Sequence, residues 1–567
     1  MRVVDILSGF VPLLFLGSVA WLVFHFMGRV HQTMGNDPAM TVRQLFTYGL
    51  LFFTMILVAV GGSSLVDEAV RESPRFSNRD LAQAFSFVII GLPVFALLLR
   101  YVDRRLREDE AERTGAVWAV YLNAALFTSL VGAMVGAFRV IRNLLEESAD
   151  VQAYDLTLFA VWAAFWVLHW SYLRARHGIP GDADLALGSI VGLSVLGVAN
   201  VGLFYVLADE MYTWLTDDPI IDRAGPAVPE WSALFAVGVV VWLWYWLAHY
   251  ESAPRTQAWF VTVVPVGALS AFIAVIVAGA AVAYETLVWF IGNTEDEAAV
   301  RHFDQLPFLS AVFLTGLIAW LYYRWLIRSE AVRNEPRRAY DYALAGAALV
   351  AGTIGAILCL SALFIPNTVQ RNDVIAGFVL LATGAPIWVY FWNSIATHVK
   401  LDGGDELRSP VRRAYIYTAI GSSAIAAIIS GLVLLQFVVE DVLDGTTSWD
   451  TLKDNRYSIA TLITVATVSW YHVSVFRAER HEYEVQPPPP TGVHHPRHII
   501  VLGGDVSDLG SIESTLGAQI EYWHRTDRAD QHVPDTAALL EKITVVDGDE
   551  MLVLIGDDEP VLIPFER

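Results

Sequence analysis

Cysteine and lysine are nearly missing from this chain. Cys359 is the only cysteine in 567 residues, and lysine occurs only at Lys400, Lys453 and Lys542. One cysteine excludes an intramolecular disulfide and any cysteine-rich metal site, and its apolar surroundings make Cys359 a small lipid- or helix-facing filler. Charge is scarce as well. Only 17% of residues are charged, against about 25% in soluble domains. The net charge of −22 argues against nucleic acid as a partner, because phosphate binding needs clustered Lys and Arg. H-E-x-x-H, a Walker lysine and any nucleophile motif are also missing, so the residues propose no reaction. The expectation is a non-enzymatic protein without cofactor or metal.

What the chain has in abundance is apolar sequence. Hydrophobic residues make up 55% of it, and mean hydropathy is +0.48. Runs of about 20 apolar residues recur and require a bilayer. Residues 6–28 form the first; its length, its aromatics and the lack of an A-x-A site favour a retained helix over a cleaved signal, with His25 near its end. After it, one unit repeats. An opening helix begins at Arg43, Arg113, Asp184, Arg255, Arg337 and Arg412. In every copy but the third, an aromatic follows the Arg by five positions: Tyr48, Trp118, Phe260, Tyr342 and Tyr417. The closing helices carry Phe95, Trp166, Trp242, Trp320, Trp388 and Trp470.

These patterns predict an all-α polytopic membrane protein of about thirteen transmembrane helices, one N-terminal span and six helical hairpins, followed by a small α/β domain. The boundaries are 1–38 for the first span and loop, then hairpins over 39–110, 111–180, 181–252, 253–332, 333–405 and 406–482. A Pro-rich linker covers 483–496, with a stiff rod at Pro487–Pro490, and the soluble domain covers 497–567. Arg is concentrated in the loops before each copy, around Arg104–Arg107 and Arg333–Arg338, which places those loops and the C-terminus in the cytosol and the hairpin tips outside. Arg71, Arg75 and Arg79 in the first tip run against that contrast.

In the C-terminal part, H-I-I-V-L-G-G reads as a strand and turn, Ser511–Tyr522 and Asp535–Ile543 as helices, and M-L-V-L-I-G-D-D-E-P-V-L-I-P-F as a β-hairpin turning near Gly556–Pro560. Gly503–Ser511 follows a strand, but Asp505 and Asp508 would repel an anion, so a capped turn is expected there rather than a phosphate cradle.

The closing helix G-A-P-I-W (Gly384–Trp388) and the opening helix V-R-R-A-Y-I-Y (Val411–Tyr417) resemble a bacterial repeat family known only as a membrane domain of unknown function, domain of unknown function 5671. The resemblance covers roughly residues 40–480 and is best in the first, fifth and sixth copies. It implies a multi-pass protein of a bacterial inner membrane and supplies no activity, cofactor or catalytic residue.

Two recurrences remain to be placed. Aromatic runs such as Trp166–Tyr172, Trp242–Trp246, Trp320–Trp325 and Trp388–Trp392 fit a surface for a flat or cationic ligand. Beside Arg at the predicted cytoplasmic ends, they fit an interfacial belt better. Acidic residues recur at the outer end of the opening helices: Asp67 and Glu68, Asp209 and Glu210, Glu285, Glu440 and Asp441. They are expected to stand in water on amphipathic outer turns, although an ionisable group inside a membrane is a functional candidate.

The first functional reading is a scaffold or sensor that holds a cytosolic domain, with the bilayer, another copy or another protein as partner through residues 497–567. The alternative is a transporter or channel for a small solute or protons. Glu285, Asn123, Asn393 and His169 would line its path, and Pro265 and Pro386 are the candidate helix breaks. An enzyme acting on lipids has no residue set to name.

Overall fold

The computed structural model describes residues 38–70, 77–146, 153–178, 182–216, 228–253, 255–294, 298–328, 335–364, 371–401, 406–407, 409–446, 448–485, 496, 498–503, 516, 518–524, 539–540, 542–543, 546, 550–554 and 561–565. The expected first span, His25, Arg71, Arg75, the Pro487–Pro490 rod, Asp505, Asp508 and the turn at 556–560 lie outside them. The chain divides into two units, residues 1–473 and 474–567.

Among the described residues, twelve helices are long and apolar enough to cross a membrane. They run α1 Pro38–Val70, α2 Asn78–Glu108, α3 Ala116–Leu145, α4 Tyr154–His177, α5 Ala183–Thr216, α6 Val228–Tyr250, α7 Gln257–Ile291, α8 Leu306–Arg328, α9 Glu335–Ala362, α10 Arg371–Leu401, α11 Pro410–Leu443 and α12 Arg456–Val485. With apolar residues on all sides, these segments are stable as helices only where neighbouring helices and lipid surround them, because every backbone polar group must bond within its own segment. Several ends are fixed locally. Ser77 and Asp80 form a capping box at the start of α2, and Thr256 caps α7 by accepting from the Trp259 amide at 3.2 Å. Neither candidate break interrupts its helix: Pro386 lies inside continuous α10, and Pro265 is absorbed by a π-helical segment, Thr262–Leu269.

Consecutive helices pair as α1–α2, α3–α4, α5–α6, α7–α8 and α9–α10. Glycine sets their approach. A Cβ on Gly384, the glycine of G-A-P-I-W, would lie 2.3 Å from the amide nitrogen of Gly352, and one on Gly136 would lie 2.4 Å from that of Phe159. Small residues bring backbones close where the bilayer gives helices no hydrophobic reason to associate. One core packs Tyr48, Leu51, Met55, Trp118, Tyr121 and Leu122 between the first two pairs.

Met55, Ala59, Ser63 and Asp67 all lie on the packed face of α1, each at most 2% exposed. That corrects one expectation. Asp67 (0%) and Asp209 (5%) are buried rather than standing in water, because each falls on the helix face that its neighbours cover. Glu210 is exposed, as expected.

The C-terminal unit holds a four-stranded sheet of β1 His498–Gly503, β2 Gln519–His524, β3 Glu550–Leu554 and β4 Val561–Phe565, in the order β2-β1-β3-β4. β1 is parallel to both neighbours, and β3 and β4 are antiparallel, as the hairpin pattern predicts. Ile499, Val501, Met551 and Val553 fill its core with Leu539 and Ile543. Residues 519–522, expected to be helical, are strand. Leu516 and Ile520 look like an i, i+4 helical pair, but Q-I-E-Y-W-H also alternates, and pairing of Ile520 opposite Ile499 decides the outcome.

Candidate functional site

Part of the buried charge of the membrane unit, Asp103, Glu112, Asp184, Asp341, Glu406 and Arg412, gathers at the end where one hairpin passes to the next, whereas Asp67, Asp155 and Asp209 are buried at the tip ends. Glu112 sits in a short helix, Glu110–Arg113, that Asp109 caps. Its Oε2 accepts from the Arg43 guanidinium at 2.6 Å and its Oε1 from the Tyr48 hydroxyl at 3.1 Å, which ties the loop back to α1. The same arrangement stands at the start of α9. Glu406, fully buried, accepts from Arg338 Nε at 3.0 Å and from the Tyr342 hydroxyl at 3.0 Å. Each Tyr–Glu bond spans 64 positions. Six residues after the glutamate the two clamps differ. Trp118 packs against Tyr48 with its ring tilted by 42° and donates to the Gly178 carbonyl at 3.1 Å, whereas Arg412 donates to the Tyr342 hydroxyl at 2.7 Å.

Other joints use the same chemistry. Asp103 receives His177 at 2.9 Å and Arg107 at 2.6 Å, Arg174 pairs with Asp184, and Asp182 accepts from Thr256 and, at 2.8 Å, from Tyr250. A carboxylate removed from water is stable only when paired and hydrogen-bonded, and here each one ties two segments together. In the sequence, Glu112, Glu406, Asp103 and Asp182 do not stand out as sites, because the charge pattern that orients loops depends on Lys and Arg and gives acids little weight. The signal was present: Glu112 and Glu406 are acidic residues just ahead of opening helices in otherwise Arg-rich stretches.

The aromatic runs lie beside these joints, and part of each faces inward. Trp166 Nε1 donates to the Tyr245 hydroxyl at 2.7 Å, Trp246 to Tyr322 at 2.6 Å and Trp392 to Tyr471 at 2.6 Å. Each of these three bonds links successive closing helices. Trp320 and Trp388 reach forward to Tyr340 and Tyr415, at 3.0 and 3.1 Å, on the next opening helix. Trp246 is fully buried and Tyr245 is 2% exposed, so these rings are internal joints. Trp244 and Trp470, by contrast, are exposed.

The four residues singled out for a path are spread over three hairpins, and each has local contacts. His169 is fully buried; its Nδ1 faces the Phe165 carbonyl at 2.7 Å, which leaves Nε2 to accept from the Tyr121 hydroxyl at 3.0 Å. His472 repeats this with Val468 and Tyr415, at 2.8 and 3.4 Å. Asn123 is buried and donates to the Ala119 carbonyl at 2.8 Å, with its Oδ1 unbonded. Asn393 is exposed. Glu285 lies near the end of α7, 3.5 Å from His302 Nε2, which also contacts the Glu285 carbonyl at 2.9 Å. Among the described residues no group of three or more His, Cys, Asp or Glu is placed to hold a metal ion.

The chain is thus a multi-pass membrane protein with a small C-terminal sheet. Comparison with curated proteins and with solved structures gives no match. Residues 44–168 and 338–471, the two stretches that hold most of the twin Tyr–Glu clamps and their Tyr–His pairs, match the family described as Domain of unknown function (DUF5671).

Proposed function

We propose that the protein is a non-enzymatic membrane scaffold or sensor, built from repeated hairpins, which presents the C-terminal α/β domain to the cytosol from a bacterial inner membrane. The observation that carries this reading is the use made of buried charge. Glu112, Glu406, Asp103, Asp184 and Asp182 each bond two segments of the chain at the joints between hairpins. A transporter instead places its ionisable groups at a midplane site beside broken helices. The test is reconstitution of the full chain in vesicles that contain a pH dye and a potential-sensitive dye. No flux is expected across a panel of ions and small solutes, and reproducible flux would overturn the scaffold reading. Orientation is checked in a Cys359→Ala background by placing one cysteine at Ser329. Labelling there from outside would reverse the assignment.

The pairing of Glu285 with His302 near a hairpin tip gives the transporter reading its one specific support. If protons move through the protein, Glu285→Gln should abolish that movement.

A further inference from the structure

The packing of the hairpins follows a rule that fails at its last step. Each opening helix meets the closing helix of the next hairpin: α1 meets α4, α3 meets α6, α5 meets α8 and α7 meets α10. Among the described residues the series ends there, and α12 stands off both α9 and its own hairpin partner α11. It is not free to swing into place. Near one end, Trp392 of α10 donates to the Tyr471 hydroxyl at 2.6 Å. At the other, the Tyr457 hydroxyl donates to Asp373 of α10 at 3.3 Å.

Between these two ties lies a cavity of about 280 Å³, lined by Gly352, Ala356 and Leu360 of α9, Trp388 of α10, and Ile463 and Thr467 of α12. All three helices are long and apolar enough to cross a membrane, which sets the opening among hydrocarbon chains if they span it. Thr464 and Thr467 bond the carbonyls of Ala460 and Ile463 on their own helix, at 2.8 and 2.9 Å, and these walls therefore offer water little to bond. A helix about 10 Å across does not fit between pinned neighbours, whereas an acyl chain does.

A cation stands above the cavity. Arg456 precedes Ile463 by two turns on the same face of α12, about 10 Å along the axis. It donates to the Lys453 carbonyl at 3.2 Å and packs over the Tyr457 ring, its Nε has no hydrogen-bond partner, and no carboxylate pairs with it among the described residues.

We propose that the groove between α9, α10 and α12 is a phospholipid site, with one acyl chain in the cavity and the phosphate on Arg456. A guanidinium suits a phosphate group because its donors form a planar fork. The bound chain fills the place that a closing helix takes at the earlier joints.

The test takes the full chain from phosphatidylglycerol vesicles into mild detergent and measures its native mass. Wild type is expected to retain one phosphatidylglycerol. Arg456→Gln should retain it about tenfold more weakly, the scale of one charge-assisted contact, and Ala356→Phe should lose it by filling the cavity. Thr467→Trp blocks the same space from the other wall and replaces Ala356→Phe if that variant fails to fold. Ile428→Phe, on the exposed face of α11, should retain the lipid. Absence of lipid from wild type, equal retention in Arg456→Gln and the cavity variants, retained fatty acid in place of phospholipid, or a lipid-free dimer would each overturn the proposal.

Discussion

Tyr342 donates its hydroxyl to Glu406 at 3.0 Å and, on its other side, accepts from Arg412 at 2.7 Å. One phenol thereby joins the start of α9, the loop after α10 and the start of α11. Tyr48 makes the matching bond to Glu112, but with Trp118 where Arg412 would stand. The second clamp carries two arginines about one carboxylate and phenol, and it is the more buried of the two, which makes it the more sensitive to loss of charge.

Glu406→Gln should therefore destabilise the membrane unit by about 3–5 kcal/mol, the cost of leaving a buried partner uncompensated. Glu112→Gln should cost less, about 1–3 kcal/mol, because the Arg43 side chain is 39% exposed and water can take over its charge. Thermal unfolding in one detergent, followed by tryptophan fluorescence, checks the order. Equal midpoints for the two variants would contradict it.

The Trp392–Tyr471 bond ties successive closing helices and should show a coupling energy. Trp392→Phe, Tyr471→Phe and the double variant form a cycle in which the pair is expected to couple by about 0.5–1.5 kcal/mol. Additive losses would mean that the two rings stabilise the protein only through their separate packing.

Much of this architecture is readable from the residues, and the limits of the reading have physical causes. Apolar length and the recurring Gly, Pro and Trp disclose the helices and their pairing, because burial in a bilayer imposes both. The G-A-P-I-W glycine is visible as punctuation, but that it seats α10 against Gly352 takes a three-dimensional neighbour to see. The clamp acids hide for a related reason: an isolated Glu in an Arg-rich loop looks solvated until Tyr48 or Tyr342 arrives from 64 positions away. Ile520 shows the same limit in the soluble part, where its i, i+4 relation to Leu516 mimics a helix and the edge of β1 overrides it.

Glycines at helix contacts should divide sharply from glycines that face lipid. Gly384→Ala and Gly136→Ala place a Cβ against backbone atoms that cannot yield, and should sharply reduce the yield of monodisperse protein. Gly421→Ala and Gly431→Ala meet nothing within 4 Å and should be neutral or stabilising, by up to about 1 kcal/mol, as alanine is the better helix former. Size-exclusion profiles of the four variants at matched expression make the comparison. A loss at Gly421 would reveal an additional helix contact there.

Residues 497–567 should fold when expressed alone. The sheet places β1 centrally between two parallel partners, and its buried Ile499 and Val501 pair with Met551 and Val553 across the strand pair. About 70 residues form a small core, so stability should be marginal, and each buried strand residue should matter. Val553→Asp would put an unpaired carboxylate into the centre of that core and should abolish folding, whereas Val561→Asp, at a position 55% exposed on β4, should be tolerated. Amide NMR spectra of the isolated segment provide the measurement. Dispersed signals are expected for wild type and for Val561→Asp, with collapse for Val553→Asp. A collapsed wild-type spectrum would mean that the sheet forms only as part of the full chain, and would remove the independent domain from the scaffold reading.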